Sequence, residues 1–184
     1  IVGAHDNHIP LPMFKNATAL SLPGPRLRQL GKDMSKFMRA GHGGEIHALH
    51  ELSARVSAAI KYSKGKTDTS TTAEMSMEIG MGVCQDHVHA FIAVARCLDF
   101  SARYVSGYLL MRDAEIQDAS HAWAEVFTDG LGWVGFDISN GISPDDRYVK
   151  LATGFDYADA APLSGVRFGS GEEQMSTQVI VSQQ

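Results

Sequence analysis

The sequence predicts an α+β domain in which helices come first and an antiparallel sheet follows. Two observations carry this expectation. Up to residue 98 the apolar side chains recur at three- and four-residue spacing, the period of helices. From residue 102 the pattern changes to short alternating runs rich in Val, Tyr, Phe and Trp, the habit of strands. Length agrees: 184 residues, 44% apolar and 20% charged, suit one domain with a substantial core, so residues 1–184 are read as a single domain.

Residues 1–25 hold four of the six prolines (Pro10, Pro12, Pro23 and Pro25) and read as an extended N-terminal arm. Pro25 opens a helix over 26–39, where Leu27, Leu30, Met34, Phe37 and Met38 keep helical spacing. Gly41-His42-Gly43-Gly44 stops it. A second helix spans 45–62, with Ile46, Leu49, Leu52, Val56, Ala59 and Ile60 on one face. A polar connector, 63–68, precedes Thr71-Thr72-Ala73-Glu74, which fits a capping box and starts a short helix ended by Gly80-Met81-Gly82. The third main helix begins at or just after Cys84, and Val88, Phe91, Ile92, Ala95 and Leu98 give it one core-facing stripe. Strands are expected at 103–111, 121–128, 133–138, 148–152, 166–168 and 175–182.

A net charge of −5 argues against nucleic acid or an anionic membrane surface as partner, because both call for a basic footprint. No apolar run approaches the ~18 residues of a membrane span. The chain starts Ile1-Val2-Gly3, with neither an initiator Met nor a signal peptide, and reads as a piece of a longer product. Cys84 and Cys97 lie 13 residues apart on one predicted helix, roughly 20 Å along its axis, too far for a disulfide. Two free thiols suit a reducing compartment such as the cytoplasm, or a catalytic cysteine in any compartment.

A cysteine at a helix N-terminus meets unpaired N–H groups and the positive end of the macrodipole, which favour thiolate over thiol. The preceding Gly80-Met81-Gly82-Val83 loop can bring further backbone N–H groups to a substrate carbonyl. Cys97, mid-helix and close to the core stripe, reads as a small buried apolar residue instead. The second ingredient is a hairpin. If Thr128-Asp129-Gly130 forms a three-residue loop centred on Asp129, His121 lies directly opposite Asp137. His121, Trp123, Glu125 and Phe127 then share a face with Trp133, Gly135 and Asp137, and Gly135 leaves room beside Trp123. A carboxylate beside an imidazole fixes its tautomer and stabilises the imidazolium, as a base serving a thiol requires.

Four stretches in order carry a resemblance: Gly82-Val83-Cys84-Gln85-Asp86, Ala102-Arg103-Tyr104-Val105-Ser106-Gly107-Tyr108, Ser120-His121-Ala122-Trp123-Ala124-Glu125-Val126, and Gly132-Trp133-Val134-Gly135-Phe136-Asp137. Together they resemble the bacterial transglutaminase-like family of cysteine proteases. The resemblance implies a papain-like transglutaminase core, with the nucleophile's helix packed on an antiparallel sheet, and a catalytic triad of Cys84, His121 and Asp137. It also implies an N-terminal β-rich region, absent from this chain. Asp99-Phe100-Ser101 stands where relatives often have Gly-Ile-Pro, and Ile138-Ser139-Asn140 where Pro-Thr-Asn is common; neither change touches the triad.

The expected activity is acyl transfer on peptide or side-chain amides through a thioester, with hydrolysis favoured over glutamine–lysine crosslinking. A non-catalytic binding module of the same fold is the competing class. The expected partner is a peptide or protein substrate. No metal or organic cofactor is implied: His87 and His89 point to different helix faces, and His42, His47 and His50 lack a completing carboxylate or thiolate. Asp86 is read as a helix cap, Trp123 and Trp133 as core or cleft-wall aromatics, and the glycines around His42 lack the Lys-Ser/Thr of a phosphate loop.

Overall fold

Phe14 is buried although it lies in a proline-rich arm, and its burial shows how the chain is put together. The structure, a computed structural model, describes residues 9–41, 43–110, 116–117, 120–162 and 179–180. The arm is not simply extended. Leu11–Lys15 form a 3-10 turn that presses Phe14 against Trp133 and Phe155, with ring centroids 5.3 and 4.9 Å away.

Helix α1, Pro25–Arg39, follows, then α2, Glu45–Ala59. α2 ends three residues before the expected boundary, because Lys61–Tyr62 form a short strand, β1. Helix α3, Ala73–Ile79, is closed by Gly80 in the left-handed conformation at φ 70°. Strand β2, Met81–Gly82, pairs in parallel with β1 and leads into α4, Cys84–Cys97. Strands β3 (Ala102–Leu109), β4 (Ile116–Gln117), β5 (His121–Thr128), β6 (Gly132–Phe136) and β7 (Tyr148–Gly154) come next, then the one-turn α5 (Tyr157–Ala160) and β8 (Val179–Ile180). The main sheet is antiparallel in the order β6-β5-β3-β7, and β4 pairs with β8. The strand expected at 166–168, and all of 175–182 beyond β8, lie outside the described residues.

Every residue from Gln85 to Arg96 is buried, so α4 has no solvent face and the single-stripe expectation is corrected. It is the central helix, with the sheet on one side and α1, α2 and α3 on the other. Its apolar residues join Leu27, Leu49, Leu52, Val56, Ala124, Val126 and Phe136 in one core. Cys97 is a further correction: as the last residue of α4 it is exposed, its Cβ 3.5 Å from where a side chain on Gly31 of α1 would begin. Among the described residues no helix is long and apolar enough to cross a membrane.

Candidate functional site

Cys84 is the first residue of α4, half-buried, following Val83 in an extended conformation. Gly82 precedes that turn because Asp86 folds back over it: a Cβ on Gly82 would meet Asp86 Oδ2 at 2.6 Å. Asp86 Oδ2 accepts from the Val83 N–H at 2.7 Å and from the Thr67 hydroxyl at 2.7 Å, which confirms it as a cap. This also corrects one expectation for the glycine loop, since the Val83 N–H is already occupied. Burial raises the Asp86 pKa, against hydrogen bonds from Thr67 and Val83 that lower it.

The hairpin register differs from the expected one. Thr128 pairs with Gly132, Glu125 with Gly135 and Ala124 with Phe136, so the loop is Asp129-Gly130-Leu131, centred one residue later. Each partner thereby shifts by two residues. A two-residue shift preserves which face a side chain occupies, whereas a one-residue slip would invert it. His121 and Asp137 therefore still project together, as diagonal neighbours rather than opposed ones. Gly135 leaves no void; Pro144 fills the space, 2.9 Å from a would-be Cβ.

Asp137 leaves the strand and exchanges backbone hydrogen bonds with Ile142, its N–H donating to the Ile142 carbonyl at 2.8 Å and the Ile142 N–H returning at 3.2 Å. That closed loop swings Asn140 back over the carboxylate. Asp137 is fully buried. Its Oδ2 accepts from His121 Nε2, Asn140 Nδ2 and the Tyr148 hydroxyl, each at 2.6 Å, and its Oδ1 accepts from the Asn140 N–H at 3.2 Å. Burial pushes the Asp137 pKa up, but these donors and the neighbouring His121 hold it below the usual carboxylate value.

With Nε2 committed to Asp137, Nδ1 is the imidazole nitrogen left for the Cys84 thiol. Burial lowers the His121 pKa, and the hydrogen bonds and charges of Asp137 and Cys84 outweigh it, raising the value to about 9. The ring is further fixed by Tyr148, at 5.9 Å, and Trp123, stacked at 6.5 Å. Of the three residues singled out from the sequence, His121 and Asp137 are in contact at 2.6 Å, and Cys84 begins the helix whose first turn also carries His87.

Asn140 and Tyr148, which both donate to Asp137, were not identified as site residues. Asn140 follows the Asp137 strand and had a local signal; Tyr148 is brought in only by β7 pairing with β3. His87 is buried, its Nε2–H donating to the Ile60 carbonyl at 2.7 Å and its Nδ1 accepting from the Ser139 hydroxyl at 2.8 Å. It links α4 to the Asp137 loop as a neutral imidazole, its pKa lowered chiefly by burial. His89 points instead toward Tyr104 and accepts from the Tyr157 N–H at 3.2 Å. His47 packs on Phe37 and His50 on Phe136; His42 lies outside the described residues. Among the described residues no group of three or more His, Cys, Asp or Glu side chains is arranged to hold a metal ion. Trp123 and Trp133 are buried, the latter under the Arg103 guanidinium at 4.0 Å.

Three comparisons bear on this arrangement. The sequence model of a family described as the Transglutaminase-like superfamily matches residues 32–138. An uncharacterized protein of Mycobacterium leprae, ML0607, is 34% identical over 155 residues, covering 78% of this chain and 55% of that protein. Rv2569c of Mycobacterium tuberculosis, also uncharacterized, is 35% identical over 140 residues, covering 71% of this chain and 45% of that one. The chain spans about half the length of the curated relatives it matches. A solved structure from Cytophaga hutchinsonii, named a "Putative Cysteine Protease", superposes with a TM-score of 0.72 and 25% identity over 97% of this chain and 58% of that one.

Proposed function

The chain belongs to the transglutaminase-like superfamily and has its papain-like fold, and on that premise we propose that it catalyses cysteine-dependent acyl transfer on peptide or side-chain amides. The observation that carries this reading is an imidazole hydrogen-bonded at 2.6 Å to a buried carboxylate, its other nitrogen left for a cysteine at a helix N-terminus.

The proposed roles are these. Cys84 sulfur attacks the amide carbonyl carbon, forming the C–S bond while the C=O π pair moves to oxygen. Collapse returns that pair to the carbonyl and breaks the C–N bond, and His121 gives its proton to the departing nitrogen. A thioester remains on Cys84. A second nucleophile then attacks it, His121 accepting that nucleophile's proton as the thiolate leaves. Asp137 keeps Nε2 protonated and stabilises the imidazolium; it transfers no proton. With its pKa raised to about 9, His121 carries the proton the leaving amine needs throughout the neutral range.

Water is the favoured second nucleophile, making the enzyme a peptidase or amidase. Cys84 is only half-buried and the neighbouring Tyr62 is 54% exposed, so water reaches the thioester without a dry acceptor channel. Crosslinking to an amine is the alternative outcome on the same residues. Peptide or protein amides are the substrate class this implies, and the two free thiols fit a reducing compartment.

The test is a peptide library incubated with and without a primary amine, read by mass spectrometry. Cleaved or deamidated peptides that vanish in Cys84→Ala and persist in Cys97→Ala are expected; amine adducts would shift the reading to transamidation. No Cys84-dependent product in either condition would leave the fold as a binding module.

A further inference from the structure

Attack on an amide requires hydrogen-bond donors aimed at the oxygen that gains charge. Helix α4 supplies one. Cys84 is its first residue, and the N–H of a first helical residue has no partner inside the helix. The adjacent Val83 N–H is unavailable, taken by Asp86 Oδ2 at 2.7 Å. The site therefore needs a donor from another element.

Tyr62 lies on the strand that flanks the approach to Cys84. Strand β1 sets it alongside Gly82, two residues before Cys84. The backbone on both sides of it is tied to the ribbon leading into α4: the Lys61 N–H donates to the Gly80 carbonyl at 2.9 Å and the Ser63 N–H to the Gly82 carbonyl at 2.7 Å. Its ring centroid lies 6.3 Å from that of His87, on the first turn and a half of the same helix. Among the described residues its hydroxyl has no hydrogen-bond partner, and the side chain is open to an incoming substrate.

We propose that the Tyr62 hydroxyl is the second oxyanion donor, so that the Cys84 N–H and the Tyr62 O–H together receive the carbonyl oxygen of the tetrahedral intermediate. This rests on the acyl-transfer reading of Cys84. The hydroxyl only donates a hydrogen bond: when the C–S bond forms and the C=O pair moves to oxygen it keeps its proton, and it keeps it again when the pair returns and the leaving group departs. A donor must remain protonated across the working range. Burial first, then the charges of Cys84 and Asp137, push Tyr62 ionisation above the ordinary tyrosine value, the direction a donor needs.

The test sets p-nitrophenyl acetate, whose reaction passes through an oxyanion, against iodoacetamide, whose displacement by sulfur does not. Both are applied to the intact chain as wild type, Tyr62→Phe and Cys84→Ala. Tyr62→Phe should keep the rate and pH profile of Cys84 alkylation while slowing Cys84 acetylation roughly 100-fold, mostly in kcat. Acetylation of Tyr62→Phe at the wild-type rate overturns the donor role. A parallel fall in alkylation and acetylation overturns it too, since Tyr62 would then act on the thiol. A wild type whose acetylation matches that of Cys84→Ala defeats the acyl-transfer reading itself, and the Tyr62 role falls with it.

Discussion

Asp137 Oδ2 accepts from His121, Asn140 and Tyr148 at 2.6 Å each, while Oδ1 accepts only the Asn140 N–H. This asymmetry predicts how substitutions rank. In Asp137→Asn the side-chain oxygen can still take the Oδ2 position and orient His121, but the amide nitrogen then faces the Asn140 N–H, donor against donor. Asp137→Ala loses every bond and leaves a partly buried imidazole N–H without a partner. The kcat/KM order expected is wild type, Asp137→Asn, Asp137→Ala, then His121→Ala, which removes the proton carrier itself. An Asn variant slower than the Ala variant would contradict this use of the two oxygens. Charge adds a second expectation. Beside the carboxylate His121 loses its proton near pH 9, so removing the negative charge lowers that pKa. The alkaline limb of the pH–rate profile should move to lower pH in Asp137→Asn, and an unmoved limb would mean the limb is not set by His121.

Glu74 shows where element-level reading succeeds and where it stops. Its place after Thr71-Thr72 fits a capping box for its own helix, yet Thr71 is buried and bonded to Asp68, and Thr72 becomes the cap, accepting from the Met75 N–H at 3.3 Å. Glu74 then caps α1 instead, accepting from the N–H groups of Gly24, Arg26 and Leu27 at 3.0, 2.8 and 3.2 Å. Gly24 makes this approach possible, since a side chain there would collide with the Glu74 stem. A carboxylate on three unpaired donors at the positive end of a helix predicts that Glu74→Ala costs about 1–2 kcal/mol in urea unfolding. A cost within experimental error would show that solvent satisfies those donors equally well. The same distinction explains what was legible in the sequence. The cores of α1, α4 and β5 were, because helical spacing and alternation are written in consecutive residues, and Cys84, His121 and Asp137 each carried a local signal. The two-residue β1 and β2 have no period to read, and Tyr62, Tyr148 and Glu74 act through contacts made by other elements. The hairpin centre was missed by one residue, harmlessly, because the displacement it produced was even.

Across the whole molecule, two histidines, His121 and the buried His89, pull stability in opposite directions with pH. His121 sits at the site with its pKa raised to about 9, and His89 sits inside the fold with its pKa lowered, mainly by burial, to about 4. His89 Nε2 accepts the Tyr157 N–H, so its proton is on Nδ1, which has no partner among the described residues. Tyr104, Tyr157, Asp156 and Arg96 surround it, and Asp156 only partly offsets the cost of charging the ring. Arg96 stays charged, with its pKa lowered by burial to about 10, and binds the carbonyls of Phe14, Ala102 and Phe155 and the Ser21 hydroxyl. Arm, sheet and C-terminal turn thus converge where a second positive charge is least tolerated. Below the unfolded histidine value of about 6.5 the unfolded chain takes up a proton that His89 refuses until pH about 4, so stability falls with acid across that window. Above 6.5 the folded protein keeps the His121 proton that the unfolded chain has released, so the stabilisation it provides drains away as pH rises to about 9. Each limb can reach about 1.4 kcal/mol per pH unit for one proton. Urea unfolding between pH 4.5 and 9.5 should therefore peak near pH 6.5. Cys84→Ala, which removes one of the groups that raise the His121 pKa, should flatten the alkaline limb and leave the acid limb unchanged. Stability that climbs steadily from pH 6.5 to 9.5 in the wild type would mean that the imidazole is not held charged between the thiol and the carboxylate.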